Sequence, residues 1–472
     1  MDTAHRVGGY EIRRALAPRY AIPLPLQSRS SDEFAPLRPR RIDRRVAARA
    51  FDITHGNARR LGMYAADLLA DRRGSAALLR ALNEEHGEEF YVVSEAAESD
   101  ADAADADLGG DQLIVDVQTH YVAQERHTQP SAQAVLAFIR SVAPERFGDL
   151  NGAAGLSFAE YLRFVFVESE TDVALLTAAP GEGDHNILTN PEIAATRELL
   201  DRLGGDGRLL HHSIVHPNVA GELDRMPDLI DRFSPIGWKV YTLYGESSEG
   251  RRGWRLDDDE TGLPFLQRCE DLGVPIVCAH KGLSSLAPTG SPSDIGPAAK
   301  AFPALRFLVY HSGYETEGPD EGPYPVDGPW HGTDRLVRSL LIAGVVPGSN
   351  VYAELGSTWF ALIRRPAEAA HVLGKLLLAV GEDNVLWGSD SIWYESPQPL
   401  IDAFRAFHIP ESFQERWGYP ALTAEVKEKV LGLNAARVYN IDVDQARARR
   451  NNDEVEWVRS ALAEFRRSGT PS

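Results

Sequence analysis

Short apolar runs rich in β-branched residues alternate with longer stretches of helical periodicity between about residues 111 and 390. The runs are DQLIVDVQTH (Asp111–His120), VALLTAA (Val173–Ala179), HHSIVHP (His211–Pro217), GWKVYT (Gly237–Thr242), PIVCAH (Pro275–His280), FLVYHSG (Phe307–Gly313), VYAELG (Val351–Gly356) and VLWGSD (Val385–Asp390). Strands that alternate with helices predict a parallel sheet. Eight such units predict an α/β fold, a closed (β/α)₈ TIM barrel, whose catalytic groups sit at the C-terminal ends of its strands. The barrel is expected over 112–441. An N-terminal helical arm and acidic linker (1–111) precede it, and a C-terminal helical extension (442–472) follows.

The flanking pattern refines this division. Arg38, Arg40, Arg41, Arg44, Arg45 and Arg49 crowd the arm. Twin arginines invite an export reading, which needs an apolar run downstream. The best candidate, Leu61–Leu82, is broken by Asp67, Asp71, Arg72 and Arg73 and reads as an amphipathic helix. The arm is therefore expected to pack or to contact a partner. Ser94–Asp111 holds seven acidic residues and no Lys or Arg, the composition of a solvated linker. Thr423–Tyr439 has helical spacing and is expected to seal the barrel. A last charged helix is expected over about Val443–Arg467. Two insertions leave the catalytic end, Tyr314–Asp334 and Ser391–Pro420, and read equally as lids or as subunit contacts.

The residues near the strand ends carry the chemistry. Gln118, His120, Lys239, His280, His311, Glu354 and Asp390 each fall within the last few residues of their segments. Alternation along a strand places Asp116, Gln118 and His120 on one face. It does the same for Lys239 with Tyr241, Cys278 with His280, Phe307 and Val309 with His311, Tyr352 with Glu354, and Gly388 with Asp390. Inward-facing imidazoles and carboxylates suit one or two divalent transition metals, zinc or iron and manganese. A lone strand histidine is more often a hydrogen-bonded core residue. Three histidines and an aspartate, each ending a different strand, favour a metal site on His120, His280 and Asp390.

His311 is a further ligand or a general base, and Asp390 a ligand, a base or only a helix cap. Lys239 is a structural ion-pair partner of Glu354, a carboxylated bridge between metals, or a cation for a substrate carboxylate. Glu354 is a ligand, an acid or that partner. Glu315 is a second-metal oxygen donor or an exposed loop acid. His216, Tyr241, Arg251, Arg252 and Trp393 are expected to bind substrate. Arg255 is a weaker candidate for a carboxylate grip, and His185 and Trp387 are candidate walls.

Composition narrows the partners. A net charge of −20 leaves no basic footprint for nucleic acid. No apolar run is long enough to span a membrane. Two cysteines, Cys269 and Cys278, make no disulfide framework and suit a reducing cytoplasm. A small-molecule substrate and a homo- or hetero-oligomer built through the arm are expected.

The motifs DVQTHY, GWKVYT, AHKG, YHSG, WGSDS and NAARVYNI together resemble the amidohydrolase superfamily over 112–441. The nearest part is the amidohydrolase-related branch that includes aminocarboxymuconate semialdehyde decarboxylase. The resemblance implies a (β/α)₈ barrel with one or two divalent metals. It implies His280, His311 and Asp390 as ligands, with Lys239 in two-metal members. The family's strand-one His-x-His is here Gln118-x-His120. An amide oxygen is a weaker, neutral donor. Gln118 thus leaves a metal position open or selects a harder metal.

The long arm also resembles a subgroup close to metal-dependent oxygenases on this barrel, such as α-aminoisobutyrate hydroxylase. The functions implied are hydrolysis or decarboxylation of a small carboxylate-bearing substrate. The alternatives are O₂-dependent hydroxylation at a dinuclear iron or iron–manganese site, and a non-catalytic, metal-stabilised subunit.

Overall fold

A computed structural model describes residues 24–27, 29, 38–69, 71–123, 156–178, 186–243, 250, 253–282, 288–450, 453–456 and 458–460. The strands are β1 (Val115–Thr119), β2 (Val173–Leu176), β3 (Leu209–His211), β4 (Ser213–Ile214), β5 (Trp238–Tyr241), β6 (Ile276–His280), β7 (Arg306–Tyr310), β8 (Val351–Glu354) and β9 (Val385–Leu386). All pairings are parallel, in the orders β1-β2-β3 and β4-β5-β6-β7-β8-β9.

Backbone hydrogen bonds join the two sheets into one barrel. β3 and β4 are a single run interrupted at His212, whose N–H donates to Leu176 O at 3.2 Å while Ser213 N–H donates to Gly237 O at 3.1 Å. At the other seam Val117 N–H donates to Trp387 O (3.1 Å), Asp390 N–H to Gln118 O (2.9 Å) and His120 N–H to Ser391 O (2.6 Å). The protein is the (β/α)₈ barrel that its periodicity predicts, with a helical arm and a helical extension.

The arm differs in detail. The expected helix over Leu61–Leu82 is divided among Arg41–Leu61, Ala65–Leu69 and Arg72–His86. Gly62 ends the first in a left-handed C-cap, a position glycine adopts without steric cost, and Asp71 caps the third through Arg73 N–H. The acidic segment is not a solvated linker throughout. Asp100 caps a helix, Ala101–Leu108, whose Ala104 and Leu108 are buried. The arm folds back on its own barrel. Arg72 reaches Asp402 at 3.2 Å and Arg29 reaches Glu395 at 2.9 Å.

The insertions are likewise partly structural. Ser391–Pro420 contains two helices, Gln398–Ala406 and Glu411–Trp417, the first of them largely buried. Tyr314–Asp334 is anchored by Lys375, which lies 2.7 Å from Glu321 and 2.6 Å from Asp334. The expected seal is present as successive helical segments from Ala424 to Tyr439. Tyr439 Oη lies 3.0 Å from His212 Nε2 in the barrel floor. Val443–Arg450 follows, tied by Arg450 to Asp172 at 2.7 Å. Among the described residues no helix is long and apolar enough to cross a membrane.

Candidate metal centre

Register settles which side chains share the inner face. Lys239 pairs with Cys278 and Tyr241 with His280 across β5–β6. Cys278 pairs with Leu308 and His280 with Tyr310 across β6–β7, and Leu308 with Tyr352 across β7–β8. On β7 the inward residues are therefore Leu308 and Tyr310, which overturns the expected face of Phe307, Val309 and His311. His311 still reaches the site because the strand ends at Tyr310. A left-handed φ of 63° then turns the His311 ring to within 4.8 Å of His280, centroid to centroid.

Gln118 lies at the focus. Its Nε2 donates to Asp390 Oδ1 at 3.0 Å and sits 3.4 Å from His120 Nε2 and 3.5 Å from His311 Nε2. All four side chains are buried. Each of the two histidines has its other nitrogen committed. His120 Nδ1 is 2.8 Å from Thr177 O, and His311 Nδ1 is 2.7 Å from Gly356 O. A carbonyl only accepts, so each Nδ1 carries a proton and donates it. Both Nε2 lone pairs then face inward, the orientation that supporting hydrogen bonds give a metal-binding histidine.

Asp390 Oδ1 is 3.1 Å from His120 Nε2. Two acceptors that close need a proton or a cation between them. Gln118 Oε1 is buried and has no hydrogen-bond partner among the described residues. An amide's oxygen and nitrogen have nearly the same shape. Rotating the amide would present oxygen to the same focus, and the donor set then fits a divalent cation. As it stands, no three His, Cys, Asp or Glu side chains among the described residues form a group that could hold a metal ion. The Gln118 amide stands between them.

Supporting groups converge behind this cluster. Glu354 is fully buried, and its carboxylate accepts from His311 N–H (2.9 Å) and Gly356 N–H (2.6 Å). Burial raises its carboxyl to about 7. A Cβ at Gly388 would lie 1.7 Å from Glu354 Oε1, and one at Gly356 would lie 2.4 Å from Gln118 Oε1, so both positions leave room only for glycine. Asp116 accepts from Gln118 N–H (3.2 Å) and Ser389 N–H (2.9 Å), and burial raises its carboxyl to about 7.

Lys239 Nζ lies over the rings of Tyr310 (3.7 Å) and Tyr241 (4.6 Å), a cation–π arrangement suited to an ammonium. Tyr241 Oη donates to Ala178 O at 3.0 Å, and its ring lies 5.3 Å from that of His280. Trp393 is 6.2 Å from His120, ring to ring.

Other expected site residues lie apart. Glu315 is engaged by Arg335 and by His331 at 3.1 Å. His216 lines a cavity of about 270 Å³ between helices Asn190–Leu200 and Glu222–Phe233. Arg255 is paired with Asp257 at 2.8 Å. A larger cavity of about 780 Å³, lined by Pro217, Trp254, Arg255 and Asp258 among others, contains none of the cluster residues. Arg251, Arg252 and His185 lie outside the described residues. Ser357 and Tyr394 were not among the sequence candidates. Asp116 enters the sequence reading only through an expected shared face with Gln118 and His120, an alternation that a register irregularity between Asp116 and Thr119 interrupts.

The family model described as Amidohydrolase matches residues 115–441, well over half of the chain. The chain belongs to the amidohydrolase family. No curated protein matches it significantly in sequence. Solved structures resemble it at low identity. A probable 2-pyrone-4,6-dicarboxylic acid hydrolase from Acinetobacter baumannii, with citric acid bound, is 13% identical over 70% of this chain and 99% of its own, with a TM-score of 0.42. The 5-carboxyvanillate decarboxylase LigW from Sphingomonas paucimobilis is 14% identical over 70% and 100%, at 0.40. A 5-carboxyvanillate decarboxylase from Novosphingobium aromaticivorans, complexed with manganese and a nitrobenzoic acid, is 14% identical over 70% and 96%, at 0.40.

Proposed function

We propose that this chain is a metal-dependent amidohydrolase-family enzyme that hydrolyses or decarboxylates a small carboxylate-bearing substrate, with residues 112–441 as its catalytic unit. One observation carries the reading: the inward lone pairs of His120 and His311 and the Asp390 carboxylate all converge on the Gln118 amide. His120, His311 and Asp390 would hold a divalent cation, with Gln118 turning its oxygen inward. Such a cation supplies Lewis acidity, lowering the pKa of water or polarising a carbonyl.

The chain's own groups do the rest. Asp390 takes a proton from water in hydrolysis. In decarboxylation the same carboxyl returns one to the carbon that loses carboxylate. Thr177 O and Gly356 O keep the two imidazoles in one tautomer. Trp393 and Tyr241 wall the site.

The dinuclear oxygenase alternative asks for additional oxygen donors. Glu315 is already bonded to Arg335 and His331, and Lys239 packs on two tyrosine rings. These contacts favour hydrolytic or lyase chemistry. The test is elemental analysis of protein purified without added metal or chelator, beside Asp390→Asn. Candidate carboxylates are then assayed with zinc or ferrous iron, with and without O₂. Bound metal in the wild type, lost in the variant, and anaerobic turnover with zinc are expected. Turnover that requires iron and O₂, with gas-derived oxygen in the product, overturns the reading.

A further inference from the structure

The turn after β8, Glu354–Thr358, reaches two neighbouring strand ends at once. Gly356 O accepts from His311 Nδ1 at 2.7 Å, and Thr358 Oγ1 donates to His311 O at 2.9 Å. Ser312 Oγ donates to Glu354 O at 2.7 Å. Between Gly356 and Thr358, Ser357 Oγ donates to Asp390 Oδ2. That hydroxyl has one proton and gives it to the carboxylate. Tyr394 Oη, 2.7 Å from Ser357 Oγ, must therefore be the donor in the second bond. Tyr394 is fully buried, and its ring stacks on Phe360 at 4.0 Å with 18° between planes. Ser357 has φ 56° and Asp390 φ 59°, a region that side chains with a Cβ rarely adopt. The backbone is thus strained at both ends of the Ser357–Asp390 bond.

We infer that Ser357, itself held by Tyr394, is the positioning residue for Asp390. It ties down Oδ2 and so leaves Oδ1 directed at His120 and Gln118. The inference rests on the metal reading above and adds to it a supporting pair, Ser357 and Tyr394.

Co²⁺ alone is the probe, with affinity measured by competition against a chelating dye and coordination by the visible d–d spectrum. Loss of a supporting hydrogen bond should weaken metal affinity about 10–100-fold. That loss is expected in both Ser357→Ala and Ser357→Gly, with an altered spectrum, and a smaller loss in the same direction in Tyr394→Phe. Ser357→Gly removes the hydroxyl while relieving the backbone, so its melting temperature should hold and a folding defect cannot explain the result. Wild-type affinity and spectrum in Ser357→Gly overturn the inference. If the wild type takes up no Co²⁺, or Asp390→Asn takes it up equally well, the metal reading itself has failed and the inference falls with it.

Discussion

Replacing Lys375 by Met tests the energetics of the loop between β7 and β8. Lys375 lies on helix Pro366–Val380 and is buried with Glu321 and Asp334. Its ammonium is 2.7 Å from Glu321 and 2.6 Å from Asp334, and Glu321 also accepts from Thr333 N–H at 2.8 Å. Methionine fills similar volume but leaves two buried carboxylates facing each other without a cation. Breaking a buried charge pair in this way costs about 3–5 kcal/mol. Unfolding entropy of about 2.1 cal/mol/K per residue over the 472-residue chain makes that a fall of about 3–5 °C in Tm if the whole chain unfolds together.

The sign with pH follows from Asp334, whose carboxyl burial already raises against the pull of Lys375. A folded-state pKa above the unfolded value means stability is lost as pH rises. The deficit of Lys375→Met should therefore be larger at pH 8 than at pH 5. Calorimetry across that range, with hydrogen exchange on residues 314–334, reads both effects. Adding Glu321→Gln and Asp334→Asn should recover most of the loss. A Lys375→Met protein as stable as wild type at pH 8, with unchanged exchange in that loop, would refute the reasoning.

Gln118→His should raise zinc retention with little change in Tm, since it adds an imidazole at the focus of the site. Unchanged zinc affinity, measured by chelator competition, would show that the amide has no part in binding. Asp402→Asn should stabilise the protein at pH 8. Burial raises the Asp402 carboxyl to about 6 although Arg72 and Gln398 bond it, so its ionised form carries a cost in the folded state. That cost grows as pH rises from about 4 towards 6. The gap between variant and wild type in urea unfolding should close near pH 4, and a variant less stable than wild type at pH 8 would reject it.

The barrel was legible because parallel strands covered by helices read as short apolar runs with long helical spacers. The site was legible only where a strand's period of two persisted to its end. It did so for Lys239 and Tyr241 on β5 and for Cys278 and His280 on β6, which register places side by side. It failed on β7, where Leu308 and Tyr310 take the inner face and His311 reaches the site only through a left-handed residue beyond the strand. Ser357 escaped notice for the same reason, since its hydroxyl matters through a turn geometry that alternation does not encode.

The anchors of the Tyr314–Asp334 insertion were hidden in a different way. Glu321 and Asp334 look like solvated loop acids until Lys375, 54 and 41 positions away, is brought beside them. His216, near the end of the third strand run, lines a cavity of about 270 Å³ between two helices.

Backbone strain separates site from scaffold without reference to side-chain chemistry. Among the described residues, the non-glycine positions with positive φ are Ser234, His311, Ser312, Ser357, Asp390, Glu395 and Asn440. Ser234 and Asn440 are helix C-caps, where the left-handed conformation is ordinary. The other five lie in the turns after β7, β8 and β9. Each such residue costs on the order of 1–3 kcal/mol and persists only where its surroundings over-determine it. Here those surroundings are the bonds that aim His311 and Asp390: Gly356 O, Thr358 Oγ1, Ser312 Oγ and Ser357 Oγ. A scaffold under no chemical demand could relax these turns with glycine at little cost. Instead the strain is concentrated at the three strand ends that supply His311, Glu354 and Asp390, which is where a barrel enzyme must hold its reacting groups still.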